Sequence, residues 1–171
     1  MDGFESSVLN FSEIENLIIK KETRIKLTVK KEGVLFEFLL YRRNNSNKAI
    51  VFGSGAINRT KLQPPLFNRF SWIDKFDENC IYYNDPTLYL SDDLNIGWGY
   101  GEKDRHYLSE VGEILIHLYK KMKIHPKNAL YYGSSAGGFQ SLILASKLKG
   151  IAVVNNPQTK IENYYQEVSV K

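Results

Sequence analysis

The residues best suited to chemistry lie in one short run, Tyr131-Tyr132-Gly133-Ser134-Ser135-Ala136-Gly137-Gly138. Gly133 to Gly137 fits G-x-S-x-G, a pattern that sets a serine at the apex of a sharp strand-to-helix corner, or elbow. Ala129-Leu130-Tyr131-Tyr132 before it reads as a buried strand, and Phe139 to Leu148 after it as a helix. Such a corner crowds its own side chains, so small residues are needed two before and two after the serine. Only Ser135 has glycines at both positions, which selects it over Ser134. Its hydroxyl would stand above a strained backbone, with the Ala136 amide and the helix N-terminus facing any oxyanion formed there. The chemistry implied is acyl transfer through a serine. A tightly packed glycine turn without chemistry satisfies the same letters. A phosphate loop does not, because no lysine follows at its spacing and the glycines do not make G-x-G-x-x-G.

A serine nucleophile needs a base and a group that orients the base. No histidine or aspartate follows Ser135, and the acids after it are Glu162 and Glu167. All three histidines precede it. His125 stands before the elbow strand, at the wrong end of the sheet, a strand's length away at ~3.3 Å per residue. His117 falls inside a long predicted helix. His106 starts that helix on the serine's side of the sheet, so it is the candidate base, with Asp85 or Asp104 to orient it. A surface histidine at a helix start is the competing identity.

Apolar periodicity supplies the scaffold. Ile25, Leu27 and Val29 alternate with polar residues, Lys31-Glu32-Gly33 gives a turn, and Val34 to Tyr41 follows, which predicts an antiparallel hairpin within residues 1–47. A short helix or an added strand is expected around Ile14–Ile19. From residue 48, the apolar strands Ala49–Phe52, Cys80–Tyr83, Ala129–Tyr132 and Ile151–Val154 alternate with helices. That order implies an α/β fold with a parallel sheet and right-handed crossovers. Leu108, Val111, Leu115, Leu118 and Met122 mark a helix that stops before Pro126. Pro64-Pro65 makes the aromatic stretch Phe67–Phe76 irregular, and Gly97-Trp98-Gly99-Tyr100-Gly101 is expected to be a flexible loop.

In such a sheet, ligands bind beyond the carboxyl ends of the strands. Gly53-Ser54-Gly55-Ala56 lies there, and an amide of Ser54 or Gly55 is the expected second oxyanion donor; an ordinary glycine turn is the alternative. Asn155-Asn156-Pro157-Gln158 ends the strand beside Ser135, so Asn155 and Asn156 either contact substrate or fix a turn. Trp98 and Tyr100 either offer flat rings to a sugar or pack the core.

Composition narrows the partners. The 171 residues suit one domain, 43% hydrophobic and 25% charged. The net charge of +4 comes from scattered lysines, which argues against a nucleic-acid partner. The single Cys80 excludes an internal disulfide and a cysteine metal site. No cofactor or metal is expected, and Asp92-Asp93 reads as a solvated turn, which leaves little for a sugar-nucleotide transferase. There is no apolar run of membrane-spanning length and no signal-peptide pattern, so the expected location is cytoplasmic.

Asn84-Asp85-Pro86-Thr87-Leu88, Gly97-Trp98-Gly99, the run from Tyr132 to Phe139 and Asn155-Asn156-Pro157-Gln158-Thr159 together resemble the hydrolase-like modules of bacterial surface-glycan proteins. Those modules occur beside or fused to glycosyltransferases in capsule or wall-polymer loci. A more distant similarity is to the glycan O-acetyltransferase of the accessory Sec system. The resemblance covers residues 48–165. It implies an α/β-hydrolase-like three-layer sandwich, with Ser135 as the nucleophile of an esterase or O-acyltransferase acting on an acylated small molecule or glycan. Acid and histidine follow the nucleophile in that family, and here neither does. The expectation is a truncated or degenerate form lacking the last strands, or one that borrows its base from a partner such as a glycosyltransferase. A non-catalytic binding or scaffold module is the alternative. Missing strands would expose a sheet edge and favour homo-oligomers.

Overall fold

The computed structural model describes residues 3–165, so Glu167 lies outside the described residues. The strands are β1 (Glu5–Asn10), β2 (Thr23–Lys31), β3 (Val34–Arg42), β4 (Ala49–Phe52), β5 (Asn79–Tyr83), β6 (Ala129–Ser135) and β7 (Ile151–Pro157). The helices are α1 (Tyr107–Met122), α2 (Ala136–Leu148) and the short α3 (Glu162–Tyr165). In β2, Ile25, Leu27 and Val29 are buried and point to one face. β2 and β3 pair antiparallel across Glu32 and Gly33, both at positive φ, as a two-residue hairpin turn requires.

The sheet order is β1-β2-β3-β5-β4-β6-β7. β5, β4, β6 and β7 are mutually parallel, while β3 runs antiparallel to both of its neighbours. The architecture is thus α/β with an N-terminal antiparallel hairpin. The short helix or added strand expected around Ile14–Ile19 is a 3₁₀ helix that begins earlier, Phe11–Asn16, with the strand β1 before it. Glu13 accepts hydrogen bonds from the Asn10 backbone and side-chain amides, which caps this helix at its N-terminal end.

Helices α1 and α2 cover one face of the sheet, burying Leu108, Val111, Leu115, Leu118 and Leu144 against Val51 and Tyr131. Each such side chain contributes about 1.5–3 kcal/mol. The opposite face holds a second core of Leu39, Tyr41, Phe52, Phe67, Ile73 and Tyr82. Its cover is the irregular segment 53–78, with one 3₁₀ turn (Phe70–Trp72) in place of a helix. Pro64-Pro65 removes two backbone donors there, and aromatic contact does the covering. Phe52 stacks on Tyr82 with centroids 4.4 Å apart.

That cover does not extend over β7. Ile151 and Val153 share the uncovered face, 60% and 44% exposed, and β7 is an edge of the sheet. Exposed apolar edges recruit other strands. The chain is expected to elute above its monomer size in size-exclusion chromatography, and the Ile151→Lys, Val153→Lys double variant to return to monomer. A clean monomer of the unsubstituted chain at high concentration would contradict this. Among the described residues, no helix is long and apolar enough to cross a membrane.

Candidate functional site

β6 passes into α2 without an intervening loop, and Ser135 makes the corner at φ 53°, ψ −126°. A residue with a Cβ reaches that conformation only under constraint. The constraints are visible. A Cβ on Gly133 would lie 2.1 Å from the Gly137 carbonyl oxygen, and one on Gly137 would lie 2.8 Å from the Gly53 carbonyl oxygen. The Tyr132 carbonyl accepts from the Gly53 amide at 2.9 Å, and the Ser135 carbonyl from the Gln158 amide at 3.2 Å. The Ser135 side chain is half-buried and its hydroxyl makes no hydrogen bond among the described residues. No side chain caps α2, so its first amides, Ala136 included, are open donors at the positive end of a helix.

The turn after β4 lies directly against this corner, as its contact with Gly137 requires. Its amides differ. Gly55 donates to Asn68 Oδ1 at 2.7 Å, whereas the Ser54 amide has no partner among the described residues. Of the two amides, only that of Ser54 is left without a partner among the described residues. Residues 66–69 form the neighbouring wall, tied to three strand ends. Leu66 donates to Asn84 Oδ1 (2.9 Å), the Ser54 hydroxyl donates to the Leu66 carbonyl (3.3 Å), and Arg69 Nη2 donates to Ser134 Oγ (2.9 Å). Arg69 also lies over the rings of Tyr132 and Trp72, 5.0 and 5.5 Å from their centroids. Sequence reasoning missed Arg69. The hint was a polar pair, Asn68-Arg69, inside an otherwise aromatic stretch.

The loop expected to be flexible, Gly97–Gly101, is pinned. Asp85, buried at the end of β5, accepts from the Gly99 amide (2.8 Å), the Thr87 amide (3.0 Å) and Gln140 Nε2 of α2 (3.1 Å). Burial raises the Asp85 carboxyl above its ordinary pKa in spite of these donors. Trp98 is only 4% exposed and its Nε1 donates to Gln158 Oε1 at 2.7 Å, so it is a buttress and offers no open face to a sugar. Tyr100 is 45% exposed and borders a cavity of about 340 Å³ with Phe139, Thr159, Lys160, Ile161 and Glu162. Asn155 and Asn156 are exposed at the end of β7, with Asn155 the register partner of Ser134.

No histidine reaches Ser135 among the described residues. His106 lies near Ser109 Oγ (3.4 Å) and the Tyr100 ring (5.7 Å). Burial and the charge of Lys147, in the last turn of α2, hold its imidazole below the ordinary pKa. Neither Asp85 nor Asp104 bonds it. His117 pairs with Glu15 (2.6 Å), and His125 caps the turn before β6, at the far end of that strand. Among the described residues, no group of three or more side chains could hold a metal.

Neither a protein-family model nor a curated protein matches the chain. Solved structures do match its fold. The capsule O-acetyltransferase of Neisseria meningitidis serogroup A is 19% identical, with a TM-score of 0.64 over 82% of this chain and 57% of that one. A histidine-to-alanine mutant of that enzyme in complex with CoA gives 0.60 over 92% and 61%, again at 19% identity. The glycosylation-associated Gap123 complex of Streptococcus agalactiae is 15% identical, with a TM-score of 0.58 over 83% of this chain and 26% of that one. The chain therefore spans little more than half the length of the acetyltransferase it matches, and what the two share is the hydrolase-like α/β fold.

Proposed function

We propose that Ser135 is the nucleophile of an acyl-transfer centre that moves an acyl group to or from a hydroxyl of a glycan or glycan precursor. The observation that carries this reading is the backbone of Ser135, held at φ 53°, ψ −126° with an unpartnered hydroxyl at the uncapped start of α2, against which the turn carrying the unpartnered Ser54 amide is packed. The fold shared with a capsule O-acetyltransferase, seen once with CoA, supports a thioester as the acyl donor. Oγ attacks the acyl carbonyl and its proton passes to a base, while the two amides hold the oxyanion. Collapse expels the donor's thiolate, which takes up that proton. The acceptor hydroxyl then attacks the acyl-serine ester, the bond from the acyl carbon to Ser135 Oγ breaks, and the acceptor's proton passes through the base to the departing Oγ. Each amide donor contributes about 2.7–4 kcal/mol to the transition state in comparable sites.

The base is the weak point of the site. His106 sits beside Ser109, whose hydroxyl accepts from Lys147 in the last turn of α2, at the end of that helix away from Ser135, so it is not positioned as the base. Without a positioned base, acylation runs about 10²–10⁴-fold slower than in a complete triad. A fluorophosphonate should accordingly label Ser135 slowly at neutral pH and not label Ser135→Ala. No labelling of the unsubstituted chain would overturn the reading.

The cavity of about 340 Å³ beside the exposed Tyr100 ring favours a second reading, a glycan-binding module that uses that cavity. Glycan binding measured calorimetrically would then be unchanged in Ser135→Ala and weakened in Tyr100→Ala. The reverse pattern would exclude it.

A further inference from the structure

We propose that Arg69, Ser134 and Asn155 form an anion subsite beside Ser135 that takes a phosphate or carboxylate group of the substrate. Its place in the reaction rests on the acyl-transfer reading; the binding itself does not.

The argument begins with what the arginines do. The chain has six. Arg24 and Arg105 bond Asp74 and Glu110, and Arg42, Arg43 and Arg59 donate to backbone carbonyls. Among the described residues, Arg69 alone has neither a carboxylate nor a carbonyl. Its one hydrogen bond is to the neutral hydroxyl of Ser134, the residue adjoining the candidate nucleophile. A guanidinium carries five donors in a planar fork, so four remain for a ligand.

The side chain is also fixed in place. Its cation lies against Tyr132 and Trp72, and its backbone is left-handed at φ 61°. Residues 66–68 just before it are tied to strand ends through Asn84, Ser54 and Gly55. An arginine ordered this way loses little freedom on binding. Asn155 is paired in register with Ser134, exposed, and without a side-chain hydrogen bond among the described residues. The uncapped N-terminus of α2 adds positive potential on the other side of Ser135. A phosphate or carboxylate matches the planar fork in two-pronged fashion. Such a group could belong to a nucleotide-bearing acyl donor or to an acidic sugar.

Trp72 reports on the site, being 39% exposed with Arg69 over its ring. The full chain is titrated with pyrophosphate, coenzyme A, glucuronate and glucose while its emission is followed, and Trp72→Phe assigns the signal against buried Trp98. Saturable responses to pyrophosphate and to coenzyme A or glucuronate are expected, and none to glucose. Stronger binding of coenzyme A identifies the donor as the source, and stronger binding of glucuronate the sugar. Arg69→Gln should weaken binding about tenfold or more, the value of a charge-assisted pair. Arg69→Lys and Asn155→Ala should each weaken it about threefold, and they decide the matter if Arg69→Gln loses its near-ultraviolet circular dichroism. No saturable anion response, or equal affinity in the variants, overturns the proposal. Fluorophosphonate labelling of Ser135 tests the acyl-transfer reading separately, so the two fail independently.

Discussion

Gly133→Ala is expected to destabilise the fold by about 3 kcal/mol or more, at the upper end of what overpacking costs. The added methyl would meet the Gly137 carbonyl oxygen at 2.1 Å, its carbon at 2.3 Å and the Gly138 nitrogen at 2.8 Å. All three are backbone atoms at the start of α2, so relief requires the helix to move off the strand. Moving the helix opens the corner that strains Ser135, and labelling of Ser135 should disappear along with the stability. Gly112→Ala is the control. Its methyl would meet only flexible side-chain carbons, Leu144 Cδ2 at 3.4 Å and Leu148 Cδ1 at 4.0 Å, inside a helix where alanine is favoured by about 1 kcal/mol. Urea unfolding of the two variants measures the contrast, and equal midpoints would refute the close-packed corner.

Asp85→Ala should cost on the order of 4 kcal/mol, because three donors lose their acceptor in a buried place, at about 1–3 kcal/mol each before relaxation. Those donors are the amides of Thr87 and Gly99 and the side chain of Gln140. Asp85→Asn keeps the shape and should cost about half as much. The pair also tests the electrostatics. Burial raises the folded pKa of Asp85 above that of an ordinary aspartate, so the fold favours the protonated form more than the unfolded chain does. A raised carboxyl contributes stability that is fully present below the unfolded pKa and is lost as pH rises through the folded one. The advantage of the native chain over Asp85→Asn should therefore be largest in acid and shrink as pH rises through the folded pKa. Glu37, also raised by burial, is present in both proteins and cancels. Urea midpoints measured across the acid range give the slope, and an advantage that grows with pH would contradict the assignment.

How far the sequence could be read depended on the range of the interaction. Ile25, Leu27 and Val29 announce a half-buried strand through spacing alone, and the glycines around Ser135 announce the corner, since both patterns are local. Other features are set by contacts distant in the chain. The hydrogen bond from Arg69 to Ser134 joins positions 65 residues apart, and nothing in the sequence near either predicts it. Choosing between the Ser54 and Gly55 amides required knowing that Asn68 occupies one of them. For Trp98, flanked by Gly97 and Gly99, the sequence left both a sugar-facing ring and core packing open, and it is the distant Gln158 and the Asp85 anchor that draw it inside. The strand at Ile151 was legible to Val154, but it continues to Pro157 because β6 offers register partners as far as Ser135, across a bulge.

The segment between Phe52 and Asn79 forms one wall of the site, fastened to the strand ends by single polar side chains, Asn68, Asn84, Ser54 and Arg69, and seated on the sheet by Phe67 and Ile73 of the second core. The place of this wall is thus set by a few polar fastenings and an apolar seat, while its exposed residues are free to vary. If Ser135 carries the proposed chemistry, a lineage that kept fastenings and seat and varied the rest of the wall would change what the site admits without disturbing the corner.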